Sequence, residues 1–96
     1  MSKVTVESII SPDKKPNPSH PHLPSIIGED DLMELSKFSY VKSVFVNKNQ
    51  YDDTLWIEVN KSDKNENILK LFAFISKLQP DTVDYIGNDT IQLWWD

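Results

Sequence analysis

The sequence predicts one α+β domain spanning residues 1–96: an antiparallel sheet of four to five strands with two helices on one face, in ferredoxin-like, split βαβ order with an extra C-terminal strand. Three observations predict it. Short runs with a two-residue apolar period recur along the chain, two longer stretches have helical spacing, and the order is strand, helix, strand, strand, helix, strand, strand. A chain of 96 residues has room for one core.

Residues 3–10 read as the first strand, with Val4 and Val6 alternating against Lys3, Thr5 and Glu7 before the pattern blurs at Ile9 and Ile10. Residues 11–27 form a Pro-rich loop or arm. Five of the six prolines fall before residue 25, and a segment so poor in donors and apolar side chains reads as extended, polyproline-like chain. Glu29, Asp30 and Asp31 then sit in the first turn of a short helix, opposing the positive end of its dipole, with Leu32, Leu35 and Phe38 at helical spacing.

Residues 40–48 and 54–60 make two strands of a hairpin around the polar loop that ends in Asp52 and Asp53. Asp63 followed by Glu66 reads as a capping box, and Ile68, Leu71, Phe72, Ile75 and Leu78 repeat at helical spacing until Pro80. Leu69, Ala73 and Phe74 widen that stripe, so the helix is expected to lie deep on a sheet. Residues 82–86 and 90–95 close the chain as a second hairpin about Gly87, Asn88 and Asp89. A two-residue turn would put Val83 and Tyr85 on the face of Trp94; a three-residue loop would put them with Ile91 and Leu93.

Composition narrows the function. An apolar content of 39 % suits a folded protein, and no apolar run reaches the roughly 20 residues that cross a bilayer. Without cysteine there are no disulfides, thiolate metal sites or cysteine nucleophiles, and the chain fits the cytoplasm. All ten basic residues are lysine and the formal charge is −5, which argues against nucleic acid and anionic lipid. Lysine to the exclusion of arginine, with many Asn and Ile, fits an AT-rich bacterial or phage gene.

The candidate site is the face of the sheet turned away from the aliphatic set. Leu55, Ile57 and Val59 alternate with Trp56, Glu58 and Asn60, while Ile91, Leu93 and Trp95 alternate with Thr90, Gln92 and Trp94. Trp56 and Trp94 are therefore expected to point away from the core, with Glu58, Asp84, Tyr85 and Asp96 around them as partner-binding residues. Other signals are weaker. His20 and His22 supply two imidazoles where a structural zinc site takes four ligands, and the spacing of Lys15, Pro18 and Pro21 suits a spacer as well as a polyproline ligand. The acids are mostly of the kind that cap helices and fill turns.

The sequence thus points to a non-catalytic protein-interaction domain without cofactor or metal, of the type of a small acidic inhibitor or immunity protein that docks on a basic enzyme. A homodimer that buries the same tryptophans is the alternative, and a small-molecule-binding domain the third reading.

Overall fold

The computed structural model describes residues 6–10, 16, 23–47 and 53–96. The elements run β1 (Val6–Ile10), α1 (Glu29–Lys37), β2 (Val41–Asn47), β3 (Thr54–Val59), α2 (Asn65–Leu78), β4 (Thr82–Gly87) and β5 (Thr90–Trp94). The fold is α+β, and its five strands make one sheet in the order β1-β2-β3-β5-β4 with every neighbouring pair antiparallel.

This is not the expected ferredoxin-like order. A ferredoxin-like sheet seats the first strand in the interior, whereas here β1 lies beyond β2 and antiparallel to it. The long connection through α1 returns the chain beside β1 instead of crossing the sheet. The second half does contain a split βαβ unit: β3 and β4 each run antiparallel to β5, so they are parallel to one another with β5 between them and α2 as the connection. The last strand, expected as an added edge, is therefore interior, and β4 is the edge.

Three pairings carry bulges, and each changes which way side chains face. The irregularity between Val41 and Ser43 puts Val41, Val44 and Val46 on one face although their spacing is uneven. Another, between Ser8 and Ile10, accounts for the blurred alternation at the end of β1, where Ile9 and Ile10 are both buried. In the last hairpin Asn88 and Asp89 both have left-handed φ (53° and 54°), as a two-residue type I′ turn requires. Gly87, at φ 92°, takes up a bulge between Tyr85 and itself. A two-residue turn thus coexists with the facing expected of a longer loop: Val83 lies opposite Leu93 and Tyr85 opposite Ile91.

Leu55, Ile57, Ile91 and Leu93 share a face with Val44 and Val46, and they join Leu32 and Leu35 of α1 and Leu71, Phe74, Ile75 and Leu78 of α2 in one buried cluster. The backbone N–H of Gly28 donates to the Asp31 carboxylate (3.0 Å), which together with Glu29 and Asp30 gives α1 the acidic first turn expected of it.

α2 departs from expectation in two respects. Asp63 lies one residue before the Lys64 cap; its carboxylate accepts from the Asn67 amide (2.7 Å), the Lys64 N–H (2.7 Å) and the Ser39 hydroxyl (3.0 Å). Glu66 pairs instead with Lys70 (3.2 Å), so the capping box does not form. The buried arc is Leu71, Phe74, Ile75 and Leu78, while Phe72, expected in the core, is 39 % exposed. The ring of Phe38, just beyond α1, meets Phe74 at 5.4 Å and so sets the rotation of α2. The helix ends at Gln79, which takes the left-handed cap conformation (φ 54°) before Pro80. The indole N–H of buried Trp95 donates to the Leu78 carbonyl (2.9 Å), tying the end of the chain to the last turn of α2.

Candidate functional site

The face opposite the core is built in cross-strand rows, because paired residues of antiparallel neighbours share a side. The central row is Ser8, Phe45, Trp56, Gln92 and Asp84, one residue from each strand. Next to it Thr54, Trp94 and Thr82 face one another across β3, β5 and β4, with Val6 opposite Asn47 at the far side. On the other flank Ser43, Glu58 and Thr90 are in line.

Trp56 lies at the centre, half-buried, and its indole N–H donates to the Gln92 side-chain oxygen directly opposite (2.9 Å). Trp94 is one pair further along β3 and β5, diagonal to Trp56 and 40 % exposed. Phe45, half-buried beside Trp56, completes an aromatic group that sequence reasoning had not included. The signal for it was present: Val44 and Val46 belong to the core, so Phe45 between them must face the other way. Ser43, Asn47 and Thr54, in the rows flanking Phe45 and Trp56, are buried polar residues.

The remaining site candidates divide. Glu58 is on this face, 4.0 Å from the Lys42 ammonium, and Asp84 is on it at the exposed edge. Tyr85 lies on the opposite face; it is 64 % exposed because β4 runs out past the cover of the helices, and its hydroxyl contacts Asp89 (3.2 Å to the carboxylate). Asp96 follows the end of β5, where its N–H donates to the Asp81 carboxylate.

Most acids have structural work. Asp53 accepts from the Ser25 N–H (3.1 Å) and hydroxyl (3.3 Å), holding the start of β3 to the segment before α1. The bonds to Asp63, led by that from Asn67, keep its carboxyl below the ordinary aspartate value. Burial, helped by nearby Tyr85, Asp89 and Asp63, pushes the Tyr40 phenol up. The Asp84 carboxylate has no hydrogen-bond or ion-pair partner among the described residues. His20, His22, Lys15, Pro18, Pro21 and Asp52 lie outside the described residues. An open cleft of about 380 Å³ between the helices is lined by Glu34, Lys37, Phe38, Ser39, Asn67 and Lys70, with both lysines already paired to Glu34 and Glu66.

No helix among the described residues is long and apolar enough to cross a membrane. No protein-family model, curated protein or solved structure matches the chain.

Proposed function

We propose that this chain is a non-catalytic docking domain whose open sheet face, centred on Trp94, Trp56 and Phe45, contacts another protein. The observation that carries the reading is the exposed Trp94 beside two half-buried aromatics on a sheet face that takes no part in the helix-packed core. Such a surface, with Glu58 and Asp84 around the rings, has the apolar centre and polar border of protein interfaces. The formal charge of −5 favours a basic partner, as an inhibitor or immunity-type protein acting in a bacterial or phage-infected cytoplasm would have.

The test is retention of a partner from cell lysate by the wild type and by the Trp94→Ala variant. Trp94→Ala is expected to fold as the wild type does and to lose about tenfold or more in affinity. Trp56→Ala is a poorer probe, since the half-buried ring and its bond to Gln92 predict a loss of roughly 1–3 kcal/mol of stability. Equal retention by Trp94→Ala, or a stable dimer that Trp94→Ala dissociates, would overturn docking of a foreign partner here, and the dimer would give the homo-oligomeric reading.

A further inference from the structure

The two edges of the sheet are treated differently. On β1, Pro16 bridges Ile10 on the side away from β2, and the Ser8/Ile10 bulge bends the strand; both are devices that stop another strand from adding. β4, the opposite edge, contains neither proline nor lysine, and its residues 82–86 are all exposed.

Its outward hydrogen-bonding groups can be placed. Val59 N–H donates to Asp89 O and Trp95 N–H to Asp53 O, so odd-numbered positions of β5 bond toward β3. Alternation then turns Gln92 and Trp94 toward β4, where their partners are Asp84 and Thr82. The backbone groups of Val83 and Tyr85 consequently point away from the sheet.

Charge is as uneven as the edges. Up to Lys77 the chain has ten lysines and eleven acids, but residues 78–96 hold Asp81, Asp84, Asp89 and Asp96 and no lysine. A second copy of β4 would bring this uncompensated charge against itself, whereas a basic strand would neutralise it.

We infer that β4 is a strand-addition site that accepts an extended segment of a basic partner, with lysine or arginine on the side of Asp84 and apolar residues on the side of Val83 and Tyr85. This rests on the docking reading and specifies how the partner engages. Main-chain bonds to Val83 and Tyr85 supply the affinity, and the alternating side chains the selectivity. On the helix side the apolar residues have further surface to meet. Asn67, Lys70 and Phe74 of α2 face α1, so Ile68 and Phe72 occupy the flank toward β4.

The test uses a fluorescent peptide of alternating lysine and valine, with a proline-interrupted version and an alternating glutamate and valine version as controls, on the full chain. Anisotropy measures binding, and amide hydrogen exchange by NMR reads Val83 and Tyr85. The decisive variant is Val83→Pro, which removes an outward N–H, keeps the β5 ladder and leaves the charge unchanged; proline is tolerated at such edge positions.

The lysine peptide is expected to bind, to protect both amides, and to bind about tenfold or more weakly to Val83→Pro. Equal binding to Val83→Pro, or equal binding of the proline-interrupted peptide, would overturn strand addition. Loss in Trp94→Ala but not Val83→Pro would move the contact to the sheet face, leaving the docking reading intact. Absence of binding would overturn the basic-strand assignment alone, since partner retention by Trp94→Ala decides the other question. A mass that doubles with concentration and reverts in Val83→Pro would put a second copy on the edge and overturn it too.

Discussion

Trp95→Ala is expected to destabilise the domain by about 3–5 kcal/mol, measured as a shift in urea unfolding followed by circular dichroism. Trp95 is 6 % exposed, so truncation leaves a large void in the cluster shared by both helices and the sheet. It also leaves the Leu78 carbonyl without the indole N–H that reaches it from 17 residues along the chain. Trp95→Phe separates these effects. It keeps most of the ring volume and removes the donor, for an expected cost of about 1–3 kcal/mol. Were Trp95→Ala to cost less than about 1 kcal/mol, the last residues would not be part of the core. Trp94 one position earlier is the internal control, because it faces the other way and its truncation should leave the unfolding midpoint almost unchanged.

Phe74→Ala is expected to cost a similar 3–5 kcal/mol, while Phe72→Ala costs less than about 1 kcal/mol. The two differ in rotation about the α2 axis. Phe74 is 9 % exposed against the Phe38 ring at 5.4 Å, whereas Phe72 is 39 % exposed on the flank toward β4. Thermal unfolding of the two variants reads the orientation of α2 directly. Reversed magnitudes would mean that the helix is turned by most of a residue step from the orientation described.

Why the sequence misplaced Phe72 is instructive. The sets Ile68, Leu71, Phe72, Ile75 and Leu71, Phe74, Ile75, Leu78 both satisfy helical spacing, and an apolar stripe this broad does not say where its centre lies. The choice is made by a tertiary contact, Phe38 after α1, which local periodicity does not contain. The same division runs through the fold. Elements with a clear period, such as β3 and α2, were legible because burial on one side imposes that period. Strand order was not, since it depends on whether the long connection from β1 turns back or crosses over. The open face was legible in Trp56, Trp94, Glu58 and Asp84. Tyr85 left it through a bulge that adds one unpaired residue, and Phe45 was concealed in a run where Val41, Val44 and Val46 break strict alternation.

That bulge in β4 holds the choice between two registers. While Gly87 stays opposite Thr90, the extra residue Ile86 decides which side of the sheet every earlier residue of β4 occupies. Taken into the ladder, Ile86 would lie opposite Ile91, which rotates Asp84 to the helix side and brings Val83 and Tyr85 beside Trp94; deleting Ile86 would only close the bulge and leave Tyr85 opposite Ile91. A slip of one residue would thus exchange an acidic border for an aromatic one while the core strands kept their places, so the border that a partner meets is decided at the hairpin and not by the composition of the face.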